Sequence, residues 1–271
     1  MTGLGLTSRR VRTIALGHGA DSRVLPEETP VAIVYNGTTQ AVMMATPADL
    51  VDFAVGFSLS EHIVTDPADL GPIEIVEHAG GIEAQIWLPE QLESILSNRR
   101  RAMTGPVGCG LCGIDSLAEA LRPIAPLPHS PLTLTADDCT LALDELRGWQ
   151  PLHDETRAVH AAGFYIPGQG IVMAREDVGR HNALDKLIGA MARAGINGST
   201  GAIALTSRIS VEMVQKCAVA RSPVLLAISS PTAHAVRLAE GANITLVSLA
   251  RGQAHVFSHP SRIQTGPQNV A

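Results

Sequence analysis

The 271-residue chain has few aromatic side chains, 3% in all, too few for a stacking surface that would bind single-stranded nucleic acid. Cysteine is scarce as well. Four unevenly spread cysteines make no disulfide framework, so the expected compartment is the cytoplasm, where a close cysteine pair is more often chemical than structural. No run of about 18 apolar residues occurs, which argues against a spanning helix. Met1-Thr2-Gly3-Leu4 begins no apolar signal core preceded by positive charge. Cationic excess is missing too: the formal net charge is -6 and the pI near 5.9, giving no general attraction to nucleic acid or an anionic membrane. Neither a Walker motif nor a G-x-G-x-x-G fingerprint is present, which disfavours ordinary nucleotide hydrolysis and dinucleotide redox chemistry.

What the chain does have is the make-up of a folded globular protein, 45% hydrophobic and 17% charged. Pro30 to Tyr35 and Ala41 to Ala45 flank Asn36-Gly37 and predict a hairpin, with a loop expected to exceed two residues. Thr46-Pro47 reads as a helix cap and first helical position, ahead of an apolar face at Leu50, Phe53, Ala54 and Phe57. A second strand pair is expected at Ile73 to Glu77 and Ile82 to Leu88, then a helix over Pro89 to Arg100. Pro123, Pro126, Pro128 and Pro131 mark an extended connector. Beyond it, strands predicted at 170–175, 202–206, 223–228 and 243–248 alternate with helices at 180–194, 210–221 and 232–240. The fold class is therefore α/β. An α+β N-terminal domain is expected over residues 1–125, and a C-terminal domain, an α/β/α layered sheet, over 126–271.

Gly108-Cys109-Gly110-Leu111-Cys112-Gly113 is the most informative stretch. Three glycines open backbone conformations closed to other residues. Two thiols three apart can form a disulfide, bind a metal, or carry and release a sulfur atom, and each option needs thiolate. A helix start after Gly113 and the Arg99-Arg100-Arg101 run could both lower the thiol pKa. A zinc site would need two further ligands, and there is no second close cysteine pair; no structural metal is expected. Cys139 and Cys217 fall on predicted helices, where each reads as a small buried hydrophobe. A thioredoxin-type dithiol belongs at a helix start after a first strand, not in a glycine-rich loop after a helix. His153-Asp154-Glu155 fits the H-x-E of zinc deaminases, but there H-x-E precedes the cysteine pair, the reverse of the order here. His153 is read as a surface residue, and His160 as a hydrogen-bonded structural one.

Polar residues gather at the strand-to-helix turns. Arg175-Glu176-Asp177-Val178-Gly179-Arg180-His181-Asn182, then Thr206-Ser207-Arg208-Ile209-Ser210, Ser229-Ser230-Pro231-Thr232 and Leu249-Ala250-Arg251-Gly252-Gln253-Ala254 each follow a predicted strand. In open α/β sheets, ligands bind beside such strand ends and helix N-termini. The turns are expected to converge on one mouth suited to a pyrophosphate or nucleotide, with Arg180, His181, Ser207 and Arg208 among its donors.

Taken together, these segments resemble the formate dehydrogenase accessory sulfurtransferase family, FdhD. The resemblance is carried by Glu28-Thr29-Pro30-Val31, Met44-Ala45-Thr46-Pro47, Asp52-Phe53-Ala54-Val55-Gly56-Phe57, the Gly108 to Gly113 loop, Glu176 to Ala183, Ser207 to Ser210 and Arg251-Gly252. It implies a sulfur carrier that takes persulfide sulfur from a cysteine desulfurase. The sulfur would pass to the molybdenum bis-guanine-dinucleotide cofactor, a substrate here, for the catalytic subunit of formate dehydrogenase. Cys109 would be the persulfide carrier and Cys112 its assistant. Leu249, Ala250, Arg251, Gly252, Gln253 and Ala254 would contact the cofactor, and the second domain would resemble the cytidine deaminase fold without its zinc chemistry. No nucleic acid or membrane partner is implied, and a homodimer is left open. A dithiol oxidoreductase and a non-catalytic chaperone of the molybdenum cofactor are the alternatives. The chain reads Thr156-Arg157-Ala158 where the family carries Thr-Gly-Gly, so no role is carried onto the His160 segment.

Overall fold

The structure, a computed structural model, describes residues 6–92, 124–250 and 253–264. The N-terminal half is built on a four-stranded sheet of β3 (Thr29–Tyr35), β4 (Thr38–Ala45), β5 (Ile73–His78) and β6 (Gly81–Ile86), in the order β4-β3-β6-β5. A second antiparallel pair, β1 (Ser8–Ala15) and β2 (Gly19–Pro26), precedes it and carries too little apolar alternation to be predicted. The β3–β4 connection is a two-residue turn, not the longer loop expected. Asn36 and Gly37 both take positive φ, 46° and 76°, the geometry that matches the twist of a tight hairpin.

Helix α1 (Leu50–Ser60) covers this sheet, burying Leu50, Phe53 and Phe57. It begins later than the sequence suggests. Asp49, in the left-handed region at φ 53°, occupies the cap position without a side-chain hydrogen bond. Thr46 is diverted to a distant turn: its hydroxyl accepts from the Val178 N–H at 3.1 Å.

The second half is layered around a six-stranded sheet, ordered β13-β12-β11-β10-β8-β9. Its strands are β8 (His160–Ile166), β9 (Gly170–Asp177), β10 (Ala202–Arg208), β11 (Val224–Ser229), β12 (Thr245–Ala250) and β13 (Gln253–Val256). Strands β10, β11 and β12 run parallel, and the other neighbours pair antiparallel. A short pair, β7 (Leu134–Thr135) and β14 (Ile263–Gln264), lies outside both larger sheets. Helices α2 (Ala136–Arg147) and α3 (Pro151–Thr156) precede β8, while α4 (Arg180–Arg193), α5 (Val211–Val219) and α6 (Ala233–Ala242) follow β9, β10 and β11.

Strand alternation sorts the apolar side chains onto two faces. Ile203, Leu205, Leu225, Ala227 and Leu246 pack with α4, α5 and α6, and this core runs on through α1 to Val31, Ile33 and Ile82 of the first sheet. Ala202, Ala204, Val224, Leu226 and Val247 face the other way, against Cys139, Leu143 and Leu146 of α2. Helices α1 and α4 meet at glycine. A Cβ on Gly56 would lie 1.7 Å from the Asp185 carbonyl oxygen, and one on Gly189 1.9 Å from that of Asp52. Among the described residues no helix is long and apolar enough to cross a membrane.

Candidate functional site

The turn from β9 into α4 carries the densest polar cluster, and its side chains divide by direction. Those facing inward form a buried knot. The Asp177 carboxylate meets Lys186 Nζ at 2.6 Å, with both side chains wholly excluded from solvent. Such a pair holds only if its remaining lone pairs and protons find partners. Here they do. Asp177 accepts from the Thr46 N–H at 2.9 Å, Gly179 N–H at 2.7 Å and Asn182 Nδ2 at 2.9 Å, and Lys186 donates to the Thr46 carbonyl at 2.9 Å. Asn182 also donates to the Met44 carbonyl. The knot ties the end of β4 to the start of α4, placing the turn relative to the first sheet. Asp52, buried on α1, is similarly held by Arg175 and Arg193. Asp177, Asn182 and Arg175 are therefore structural members of a turn that the sequence alone suggests as a ligand site, and Asp52 is structural as well.

Two cavities draw on this half, and of the turn's side chains His181 and Asn182 line only the smaller one. One, about 670 Å3, opens at the carboxyl ends of β10 and β11, where Thr206 and Ile228 form its floor. His160 at the start of β8, His153, Asp154 and Arg157 around α3, and Arg147 at the end of α2 also line it. Burial pushes the His160 imidazole below its ordinary range, and the positive charge of Arg180 pushes it further, with His153 and His181 adding to the effect. The Nε of Arg180 is buried with no hydrogen-bond partner among the described residues. Glu176 caps α3 by accepting the Leu152 and His153 N–H groups at 2.9 and 2.8 Å. Burial nevertheless raises its pKa.

The other cavity, about 450 Å3, lies among α1, α4 and α5 and is lined by Phe57, Met43, Pro126, His181, Glu212 and Lys216. His181 Nε2 stands 3.3 Å from Glu212 Oε2, and the Ser210 hydroxyl donates to the same oxygen at 2.7 Å. The bond from His181 is the largest cause holding the Glu212 carboxyl down to about 2. Lys216 is bonded to both Asp185 oxygens, at 2.7 and 2.9 Å.

The site residues expected from the sequence do not all meet. His181 lines the smaller cavity, whereas Arg180 lines neither and reaches His160 only through its charge. Ser207 is buried with its hydroxyl donating to the Arg208 carbonyl, and the Arg208 side chain is exposed. Leu249 and Ala250 end β12, and Gln253 and Ala254 begin β13, paired in register. Leu249 and Ala254 pack against the same apolar cluster as Ile228, a residue lining the larger cavity. Arg251, Gly252, Cys109 and Cys112 lie outside the described residues, as do Arg99 to Arg101 and the helix predicted after Gly113. His160 departs from its expected structural role: its ring makes no hydrogen bond among the described residues and lines the larger cavity. His153, expected on the surface, is half-buried in the same wall. No periodicity marks either histidine, because each is singled out only by where a distant strand end delivers it.

Two cysteines are described. Cys139 and Cys217 are fully buried, and burial pushes their thiols up to about 11 and about 12. Cys217 is further occupied by a hydrogen bond to the Ser222 carbonyl. Among the described residues, no group of three or more His, Cys, Asp or Glu side chains could hold a metal ion.

A profile of the FdhD/NarQ family matches residues 26–264. A protein of Agrobacterium fabrum named sulfur carrier protein FdhD is 51% identical over 259 residues, covering 94% of this chain and 96% of the relative. One of the same name from Brucella abortus is 54% identical over 248 residues, 91% of this chain and 92% of the relative. Among solved structures, a formate dehydrogenase accessory protein from Desulfotalea psychrophila superposes with a TM-score of 0.72 at 25% identity, over 95% of this chain and 98% of that one.

Proposed function

Because the chain belongs to the FdhD/NarQ family, we propose that it is a sulfur carrier serving formate dehydrogenase, with Cys109 as the atom-carrying residue and Cys112 as its assistant. The relatives' names support the first half of this reading, and the thiols support the second. The chain has four cysteines. At a pKa of about 11 or 12, Cys139 and Cys217 are thiolate in no more than about one molecule in ten thousand at neutral pH, and both are shut away from any donor. The two thiols of the Cys109-Gly110-Leu111-Cys112 loop are left to do the chemistry. The burial of Cys139 and Cys217 is the observation that supports the reading.

The steps follow from thiol exchange. Cys109 thiolate attacks the terminal sulfur of a cysteine desulfurase persulfide, and the desulfurase thiolate leaves, so that Cys109 becomes the persulfide. Cys112 thiolate then attacks Sγ of Cys109. A Cys109–Cys112 disulfide forms, the sulfur–sulfur bond of the persulfide breaks, and the terminal sulfur departs reduced as hydrosulfide. The acceptor is the molybdenum of a bis-guanine-dinucleotide cofactor, a substrate whose phosphates suit the cationic and hydroxyl-bearing turns at the strand ends. A dithiol reductant restores the carrier. The cytoplasm is the compartment that keeps such thiols reduced. The likeness of the second-half sheet to cytidine deaminases, and its role as the cofactor-binding part of the chain from residue 126, belong to the same proposal.

The experiment is complementation. In a strain lacking its own carrier, the wild-type chain is expected to restore formate dehydrogenase activity, and Cys109→Ala to leave less than about a hundredth of it. Cys112→Ser should load sulfur normally but release it slowly. Full rescue by a Cys109→Ala, Cys112→Ala double variant would instead make the protein a cofactor chaperone that carries no sulfur.

A further inference from the structure

No residue of the β1–β2 pair is buried. The pair meets the body at its base, where the Ser8 hydroxyl donates to Glu155 of α3 at 2.9 Å and the Glu27 N–H to the Thr7 carbonyl at 2.8 Å. Residues 8–26 therefore stand as an arm, and its chemistry changes along its length. From Thr13 to Ala20 the one ionisable side chain is His18. Ile14 and Leu16, 79% and 95% exposed, are the most exposed large apolar side chains of the described molecule. Behind this tip the register pairs Arg12 with Ser22, Val11 with Arg23 and Arg10 with Val24. Strand alternation sends Arg10 and Arg12 to one face and Arg23 to the other. Arg9 is spent on Glu27 at 3.1 Å, whereas Arg10, Arg12 and Arg23 form no salt bridge among the described residues. Asp21 is the arm's one acid, and its carboxylate accepts the Ser22 N–H at 2.7 Å.

From this arrangement we propose that the arm is a reversible anchor to an anionic lipid surface, with Ile14 and Leu16 entering the acyl boundary and Arg10, Arg12 and Arg23 meeting the headgroups. A groove on a protein reads one face of a ribbon, but here an apolar tip and a cationic collar serve both faces. The spacing suits a bilayer edge: the strand rises about 7 Å from Arg12 to Ile14, within the roughly 5–10 Å by which interfacial elements sink. Net charge alone speaks against a membrane partner. It hides a segregation, because residues 8–26 hold four arginines and one aspartate, a formal charge of +3, which leaves the remainder of the chain at -9 within its net -6. The inference goes beyond sulfur carriage and uses none of the residues assigned to it.

Tip and collar act together. Two apolar side chains hold a protein on a bilayer only marginally, and a single weak signal does not anchor. Each arginine near an anionic surface adds about fivefold in affinity. Binding must then need both signals, reverse readily and weaken with salt, since the collar is solvent-exposed and screened.

Vesicle flotation of the full-length protein tests this with two probes, vesicles of phosphatidylcholine alone and vesicles holding about one-third phosphatidylglycerol. The protein is expected to float with the anionic vesicles at low salt, to bind the neutral ones about a hundredfold more weakly, and to be released by about 0.5 M sodium chloride. An Ile14→Ser, Leu16→Ser double variant should lose about tenfold in affinity and keep its salt dependence. An Arg10→Gln, Arg12→Gln, Arg23→Gln triple variant should fall to the neutral-vesicle level. Each substituted side chain is exposed, so the urea midpoints of both should match wild type. Leu16→Trp should blue-shift its emission on anionic vesicles, whereas wild type, with Trp87 and Trp149 outside the arm, should not. Failure to float with anionic vesicles at low salt, or flotation that the double variant leaves unchanged, would overturn the anchor. So would arm-dependent dimerisation, or arm-dependent co-elution with formate dehydrogenase, in a protein that does not float, since either assigns the arm to a protein surface.

Discussion

At the scale of single residues, both described thiols are closed to solvent. Cys139 on α2 and Cys217 on α5 are packed into opposite faces of the second sheet, where a thiol behaves as a small hydrophobe. Native alkylation with iodoacetamide is expected to spare both until denaturant is added, and Cys139→Ala and Cys217→Ala should load sulfur as wild type does. Labelling of either residue in the native protein would contradict that burial. Glu212 offers a second test. Its folded pKa, about 2, lies below the ordinary glutamate value of 4.5, so the carboxylate adds stability above about pH 4.5. That contribution fades as pH falls and is gone below about pH 2. Since the side chain is 27% exposed, Glu212→Gln should cost about 1–2 kcal/mol in neutral urea melts and almost nothing near pH 2. The burial of Cys139 and Cys217 is readable from their helical positions. The placement of His153 and His160 is not, because it depends on strand ends and a helix brought together from residues 147 to 228.

At the scale of elements, the junction of α1 with α4 holds the two sheets in one arrangement. The helices pack backbone to backbone at Gly56 and Gly189, where a methyl group would collide with a carbonyl that no rotamer change can move. Gly189→Ala is expected to cost about 3 kcal/mol, read as a lowered urea midpoint. The Lys186–Asp177 knot beside it should respond asymmetrically. Lys186→Met leaves a carboxylate buried without its cation and should cost about 3–5 kcal/mol. A Lys186→Met, Asp177→Asn double variant should recover part of that loss, and strict additivity of the two substitutions would argue against the pair. Local chemistry makes much of this level legible: the four strands and three helices predicted beyond the connector fall within a few residues of β9 to β12 and α4 to α6, whereas α3 and β13 are not predicted. The tightness of the Asn36-Gly37 turn is harder to see, because flanking polar residues hide a two-residue connection. Thr46 misleads for a different reason. A capping hydroxyl and a tertiary acceptor are the same residue type, and Asp177 and Val178, more than 130 residues away, decide between them.

At the scale of the whole molecule, the apolar core does not stop at the proline connector. It passes from Ile33 and Ile82 through Phe53 and Phe57 of α1 to Leu187 of α4 and Leu246 of β12. The halves should therefore unfold together, giving one calorimetric transition that Gly189→Ala shifts as a unit; two separated transitions would contradict the shared core. The same continuity fixes the two cavities relative to one another. Fold class, alternation in the second half and the family can be read from residues in order along the chain. The shared core cannot, since the contacts that build it join residues on both sides of the connector.

That sulfur travels on Cys109 is tested most directly by intact-protein mass spectrometry after incubation with a cysteine desulfurase and cysteine. The expected result is a reductant-labile adduct of about 32 Da on the wild-type chain and on Cys139→Ala and Cys217→Ala, absent from Cys109→Ala. A wild-type chain that stays unmodified beside an active desulfurase, or an adduct that persists in Cys109→Ala, would contradict it.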